Sequence, residues 1–155
     1  VANEILGGSG FGSLLTRELR EKRGLTYSVS SQFVPMRMPG PFQISFSTRA
    51  DQAEAALKLT QQLLADFVKK GPDDAAVNNA IAQLTQAFPR SLMRSDAVAS
   101  YLAMMGFYQL PADYLSRYVE QLAAVTPAQV QSALQRRVHP GRLVISTAGQ
   151  KGGRP

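Results

Sequence analysis

Two residue types that commonly bind zinc are almost missing from this chain of 155 residues. It has no cysteine, and His139 is its single histidine. Without cysteine there is neither a disulfide framework nor a thiolate metal site. One histidine cannot form the usual two-histidine zinc site, and its place before Pro140 favours a structural role in a turn. The sequence therefore predicts no metal site in this chain.

Long apolar runs are missing as well. No run approaches the ~18 residues that a membrane-spanning helix needs. The first residues, VANEILGG, lack the basic segment and the cleavage site of a signal peptide. They are typical of the last turns of an element, and the chain does not start with methionine. We therefore expect a single domain over residues 1–155, present as a fragment that lacks its opening strand.

Basic residues exceed acidic ones, 17 against 11, for a formal net charge of +6. Such an excess is one mark of a nucleic-acid-binding module. The segment LLTRELREKRGLTY, however, alternates the two signs, with Arg17–Glu21 and Glu18–Lys22 at the i,i+4 spacing of helical ion pairs. No stacking aromatic residues accompany a basic face. A weakly basic, solvated surface is the better interpretation, and we expect no nucleic-acid partner.

Hydrophobic spacing predicts a helix followed by a β-hairpin in the first third of the chain. Leu14, Leu15 and Leu19 form an apolar stripe on a helix that is expected to end at Gly24 in a left-handed cap. The runs LTYSVSSQFV and FQISFST then alternate apolar and polar residues. The prolines of the intervening PMRMPGP indicate a longish loop between two strands.

Five helical patterns follow the hairpin. The first begins at Asp51, the second is expected to end near Pro89, and the last begins at Thr126 with the capping box TPAQ. Asp73 and Asp74 are interpreted as charges at a helix N-terminus. RLVISTAG near the C-terminus predicts a last short strand. This order of elements indicates an α+β fold.

The glycine-rich stretch GGSGFGS, residues 7–13, does not match the known nucleotide-binding loops. A phosphate loop needs Lys and Ser or Thr after its last glycine, whereas Leu14 and Leu15 stand here. The spacing also misses the final glycine of a dinucleotide-binding fingerprint. We interpret the stretch as a loop that lets the backbone approach something closely, with anion binding at the next helix N-terminus as the alternative.

Arg20 and Tyr27 are the candidates for chemistry. Arg20 lies near the end of the first predicted helix and Tyr27 at the start of the next strand, with a tight glycine connection between them. The two elements must lie against each other, so the two side chains can converge. A guanidinium fork and a phenol could together hold a peptide backbone and stabilise a developing oxyanion. The alternative is that Arg20 pairs with a local acid and Tyr27 packs as an ordinary strand aromatic.

The run EILGGSGFGSLLTRELREKRGLTYSVSS resembles the signature of the C-terminal-type domain of the M16 zinc peptidases, the family of pitrilysin, insulinase and mitochondrial processing peptidase. Later segments, among them GPFQISFSTRADQAEAAL and HPGRLVISTAG, follow the family's order to the end of the chain. The resemblance implies helices packed on one face of a mostly antiparallel sheet, with a strand before residue 1. It also implies two related halves that enclose a chamber for unfolded peptides.

In that family an inverted His-x-x-Glu-His motif and a distant glutamate hold the zinc on the other half, and this sequence has no such motif. The resemblance therefore implies the substrate-binding half. Arg20 would bind the substrate backbone, and Tyr27 would polarise the carbonyl or stabilise the oxyanion. A nearby loop would also touch substrate through three glycines: Gly7, Gly8 and Gly10.

The same resemblance implies that no cofactor is bound by this chain and that zinc lies on a partner half. That partner would be a domain or subunit with the His-x-x-Glu-His motif, in a homo- or heterodimer that cleaves peptides, and this chain alone should be inactive. Many members have Ser-Arg-Leu where Ser13-Leu14-Leu15 stands here, so any role of that arginine is absent. The main alternative is a non-catalytic scaffold subunit with the same fold. A bacterial envelope location is the family-level expectation, with the cytoplasm left open.

Overall fold

The computed structural model of this chain describes residues 1–8 and 12–149. Within these ranges, helices dominate and two strands form one sheet. Two short 3-10 turns are also present: Ala50–Gln52 joins a strand to a helix, and Pro140–Arg142 follows the last helix. In chain order the longer elements are α1 (Ala2–Gly7), a π-helix (Thr16–Glu21), β1 (Ser28–Phe33), β2 (Phe42–Ser47), α2 (Ala53–Lys70), α3 (Asp74–Ser91), α4 (Ser95–Tyr108), α5 (Tyr114–Ala123) and α6 (Pro127–Arg137).

The hairpin gives the sheet two unlike faces. β1 and β2 pair antiparallel, with Val29 opposite Phe46 and Ser31 opposite Ile44. These residues are buried or half-buried, because the helices cover this face. The other face is exposed and carries uncharged polar side chains alone: Ser28, Ser30, Gln32, Gln43, Ser45 and Ser47. The predicted α+β fold, with an antiparallel sheet and helices on one side of it, is confirmed.

The helices meet the sheet through α1 and the π-helix, both of which pack on β1. The Ser31 hydroxyl donates to Asn3 Oδ1 at 2.9 Å, which ties α1 to the strand. α2 packs against α6 and the π-helix, and α3 packs against α1 and α5. The core where these elements meet consists of Leu6, Leu15, Leu19, Ala56, Leu64, Phe67, Val68, Val77, Val130, Leu134 and Val138.

Two helix starts are capped as their sequences predict. The Gln129 N–H donates to Thr126 Oγ1 at 3.3 Å, and the Thr126 N–H donates to Gln129 Oε1 at 2.9 Å, which completes the capping box. Asp73 caps α3 by accepting the Ala76 N–H at 2.7 Å. Both predictions are confirmed by these hydrogen bonds. Each cap satisfies backbone donors that an α-helix leaves unpaired.

The second predicted helix ends near Pro89 as expected, two residues beyond it at Ser91. α3 continues through Pro89 to Ser91, although proline lacks the N–H of a helical bond. Phe88, one residue earlier, is buried and packs its ring 4.4 Å from that of Tyr118 and 5.9 Å from that of Tyr101. The Ser91 hydroxyl also donates to Phe88 O at 2.7 Å. This packing holds the last turn in place despite the lost bond.

The predicted last strand is wrong within the part of the chain that the structure describes. Residues 143–149 follow the Pro140–Arg142 turn without entering a sheet, and Val144 is 96% exposed. A strand needs a neighbour that accepts and donates its backbone bonds. β1 and β2 pair with each other and leave the terminal segment outside.

No helix within residues 1–8 and 12–149 is both long enough and apolar enough to cross a membrane.

We expect Leu19→Ala to lower the free energy of unfolding by about 2–5 kcal/mol, because Leu19 is fully buried in the core. Leu102→Ala is the matched control, since Leu102 on α4 is 58% exposed and its truncation should cost less than about 0.5 kcal/mol. Urea unfolding of both variants measures the difference. Equal losses at the two positions would contradict this assignment of the core.

Candidate functional site

The first site element is the π-helix that begins with Thr16. Leu15 and Leu19 are fully buried and anchor it in the core. Its wider winding is visible at its end, where the Lys22 N–H donates to Arg17 O at 3.0 Å, five residues back. The hydrophobic spacing of the sequence predicted a helix here but not its π winding, which is frequently found at functional sites.

A left-handed turn at Gly24 ends the helix. Gly24 has φ +60°, a conformation that glycine adopts without steric cost. The Gly24 N–H donates to Arg20 O at 3.0 Å, and the Leu25 N–H donates to Leu19 O at 2.8 Å. The first bond is that of an ordinary left-handed glycine cap, whereas the second reaches one residue further back than the corresponding bond of a Schellman motif. The predicted left-handed cap is confirmed.

Arg20 and Tyr27 lie at the two ends of this turn. Arg20 is exposed in the last turn of the π-helix, and Tyr27 is 83% exposed one residue before β1. The Tyr27 backbone is fixed nonetheless, since its N–H donates to Ser47 O at 2.9 Å. Tyr27 therefore does not pack as an ordinary strand aromatic, which was the alternative interpretation. That the two side chains converge on one ligand stays a prediction.

Backbone contacts hold the residues on both sides of Tyr27. The Thr48 hydroxyl donates to Leu25 O at 2.6 Å, which joins the end of β2 to the turn. Thr26 is buried, and Leu25 packs partly against the core. On the other side of Tyr27, Ser28 pairs with Ser47 in the sheet, so the exposed phenol stands on a backbone that is held on either side of it.

The carboxylate of Glu18 binds three cations around the turn. Lys22 Nζ lies 2.7 Å from Oε1, Arg23 Nη1 lies 2.7 Å from Oε2, and Arg17 Nε lies 3.4 Å from Oε1. The hydrogen bonds from Lys22 and Arg23 lower the pKa of Glu18 from 4.5 to about 2. The predicted Glu18–Lys22 pair is confirmed, whereas Arg17 turns to Glu18 rather than to Glu21.

The three predicted substrate-binding glycines divide into different cases. Gly7 ends α1 against β1, where an added Cβ would lie 2.6 Å from Ser31 Oγ and 2.7 Å from Ser31 N. An added Cβ at Gly8 would lie 2.5 Å from Glu4 Oε2. Gly10 lies outside the described residues. The close approach that the glycines permit is thus made to this chain's own strand and helix, and contact with substrate stays a prediction.

The family model of the peptidase M16 inactive domain matches residues 1–84. This chain belongs to the M16 peptidase family. The matched segment contains α1, the π-helix, the hairpin and α2, and therefore the whole region around Arg20 and Tyr27.

Relatives of this M16 domain extend the similarity over nearly the whole chain. An uncharacterized zinc protease of Streptomyces coelicolor is 30% identical over 149 residues, which cover 96% of this chain and 32% of the relative. The crystal structure of a peptidase M16 inactive domain from Pseudomonas fluorescens is 41% identical, with a TM-score of 0.81 over 90% of this chain and 33% of that one. A protease from Helicobacter pylori, 21% identical over 90% of this chain and 33% of that one, shares the fold with a TM-score of 0.79. The chain spans about a third of the length of these proteins.

As an M16 inactive domain, the chain carries no catalytic zinc site. Among residues 1–8 and 12–149, no three His, Cys, Asp or Glu side chains group so that they could hold a metal ion. His139 is exposed and precedes the Pro140–Arg142 turn, where its carbonyl accepts the Arg142 N–H at 2.9 Å. A structural role for the imidazole itself stays a prediction.

We expect Gly7→Ala to lower the free energy of unfolding by about 1–3 kcal/mol, because the added methyl group meets Ser31 at 2.6 Å. Gly106→Ala is the control, since Gly106 lies on α4 and no atom lies within 4 Å of its added Cβ. That change should be neutral or stabilise the helix by up to about 1 kcal/mol. Thermal or urea unfolding compares the two, and equal stability of both variants would refute the packing role of Gly7.

We also expect the stabilisation by Glu18 to depend on pH. Its pKa in the folded chain is about 2 against an ordinary 4.5, so its contribution is complete above pH 4.5 and is lost as the pH falls to about 2. Glu18→Gln should therefore reduce the free energy of unfolding near neutral pH, and the difference from wild type should shrink towards pH 2. Urea unfolding across this range measures it.

Asp96→Asn is the control for that titration. The Asp96 carboxylate pairs with Arg94 alone among the ion pairs of the described chain, and the side chains are 68% and 73% exposed. Solvent screens such a pair, so its effect on stability should be smaller at every pH. The contrary outcome is a difference in the free energy of unfolding, between wild type and Glu18→Gln, that stays the same from neutral pH to pH 2. That result would show that the ionised carboxylate is not what stabilises the turn.

Proposed function

We propose that this chain is the substrate-holding half of an M16-type zinc peptidase. A partner half with a His-x-x-Glu-His motif would supply a zinc ion, which activates water for attack on a peptide carbonyl. The observation that carries the proposal is the pair of exposed side chains, Arg20 and Tyr27, at the ends of one rigidly bonded turn. Both are residue types that bind carbonyl oxygens, and neither needs a metal in its own chain.

Tyr27 would stabilise the charge that develops on the carbonyl oxygen. The phenol is a directed donor, and at 83% exposure it can meet a ligand that arrives from outside the chain. Its backbone bond to Ser47 O reduces the reorganisation needed when substrate binds. A donor that is already aimed at the developing oxyanion contributes more than one that must be ordered during the reaction.

Arg20 would hold the peptide backbone next to that donor. Its guanidinium presents several N–H groups in a fixed fork, which suits peptide carbonyls and a terminal carboxylate. It is exposed, and its own backbone carbonyl accepts the Gly24 N–H, so the residue stands at a fixed end of the helix. In this proposal Arg20 binds the substrate, and Tyr27 lowers the activation barrier of peptide hydrolysis.

We expect Tyr27→Phe, assayed with the zinc-bearing half present, to lower kcat by ~10²–10³ with little change in KM or in stability. Arg20→Lys should mainly raise KM, because a lysine cannot reproduce the planar fork. Tyr108→Phe on α4 is the matched control and should leave turnover unchanged. Steady-state kinetics on a peptide substrate measures all three.

The same assay compares this chain alone, the partner half alone and both together, each with and without a chelator. Hydrolysis should require both halves and the metal. Wild-type turnover in Tyr27→Phe would remove Tyr27 from the mechanism. Absence of hydrolysis with a zinc-loaded partner would favour the scaffold function, in which the M16 fold is kept without catalysis.

A further inference from the structure

Glu18 has a place in the π-helix that the mechanism proposed so far does not use. It lies two residues before Arg20, and its side chain is 12% exposed, less than that of any of its three cationic partners. Lys22 and Arg23, which it binds, lie beyond Arg20 and immediately before Gly24. One carboxylate therefore spans the helix end on which Arg20 stands and the turn that leads to Tyr27.

Arg23 binds back to Glu18 through two hydrogen bonds. Its Nη1 donates to Glu18 Oε2 at 2.7 Å and to the main-chain oxygen of Glu18 at 3.0 Å. Carbonyls in the last turn of a helix lack helical partners, and a basic side chain from just beyond the helix supplies one here. The contact joins residues on both sides of Arg20 without using Arg20 itself.

The three cations repel one another, and the carboxylate of Glu18 between them offsets this repulsion. Arg17, Lys22 and Arg23 all reach the same carboxylate within 3.4 Å. Like charges at such spacing repel each other, and the π-helix and a left-handed glycine offer little intrinsic stability against that repulsion. Replacing the carboxylate by an amide would keep the shape of the side chain and remove the charge that draws the cations together.

We propose that Glu18 is a positioning residue for the Arg20–Tyr27 pair: by binding Arg17, Lys22 and Arg23 at once, it fixes the turn at Gly24 from which both side chains project. The inference rests on the proposed function, because it assigns Glu18 a role in the same reaction. The lowered pKa of Glu18 agrees with it, since the carboxylate stays ionised at any pH near neutrality.

The test uses the assembled protein with its zinc-bearing half and has two independent readouts. Hydrogen exchange at the Gly24 and Leu25 amides reports the turn, because these N–H groups make its two closing bonds. Peptide hydrolysis reports kcat and KM separately. Glu18→Gln should speed exchange at both amides by roughly fivefold or more and lower kcat ~10-fold, with a smaller change in KM.

Two further variants make the result specific. Asp96→Asn removes a carboxylate that binds Arg94 through two hydrogen bonds, at 3.1 and 2.6 Å, on another helix, and it should change neither readout. Glu18→Asp keeps the negative charge on a side chain that is shorter by one methylene. It should therefore recover part of the lost amide protection and part of the lost kcat. A Glu18→Asp variant no better than Glu18→Gln would overturn the inference, because charge would then not be what orders the turn.

The outcomes separate this inference from the proposed function. Unchanged amide exchange in Glu18→Gln overturns the positioning role, whatever the turnover. Faster exchange with wild-type kcat overturns it too, since a loosened turn would then not affect catalysis. Full turnover in Tyr27→Phe overturns the proposed function, even where Glu18→Gln speeds amide exchange. The positioning role in catalysis then fails as well, but through the kinetics of Tyr27→Phe and not through the exchange measurement.

Discussion

The backbone bond from the Leu25 N–H to Leu19 O is the contact on which the region around Tyr27 depends. Leu19 is fully buried, so its carbonyl is fixed relative to the core, and the bond carries that fixed position across the turn to the residue that precedes Thr26. Gly24 makes the bond possible, because its φ of +60° turns the chain back on itself at no steric cost. A helix anchored by two leucines thus determines the position of the exposed Tyr27, one residue before β1.

The helices cover one face of the hairpin and leave its other face exposed. α1 and the π-helix pack on the apolar face of the hairpin, while the opposite face carries serine and glutamine alone. These uncharged side chains neither attract nor repel a ligand of a particular charge. The chain spans about a third of its relatives' length, so the proteins to which it is similar contain further polypeptide around such a domain.

Much of the fold could be predicted from the sequence because its signals are local. The hairpin alternation, the capping box at Thr126 and the glycine cap each depend on a few adjacent residues. The terminal strand could not, because a strand depends on a neighbouring strand. The continuation of α3 past Pro89 could not be predicted either, because it depends on the packing of Phe88 against distant rings. The residues Arg20 and Tyr27 were singled out through the family resemblance as much as through chemistry. Of the three partners of Glu18, Lys22 was predicted, whereas Arg17 and Arg23 were missed because i,i+4 spacing, which assumes an α-helix, pairs Glu18 with Lys22 alone.

The π winding explains why the contact between Arg23 and Glu18 was not predicted. A bond five residues long, from the Lys22 N–H to Arg17 O, shifts every later residue around the helix axis relative to α-helical spacing. Arg23, five residues after Glu18, can then reach back to its carboxylate, which the adjacent Arg17 also contacts. A π-helix has poorer local stability than an α-helix, so its retention here needs a compensating interaction. The bonds from three cations to Glu18 supply one at the surface, and the burial of Leu15 and Leu19 supplies another beneath it. Both act on the segment that carries Arg20, so an irregular helix is held at its surface by charge and beneath by its apolar side chains.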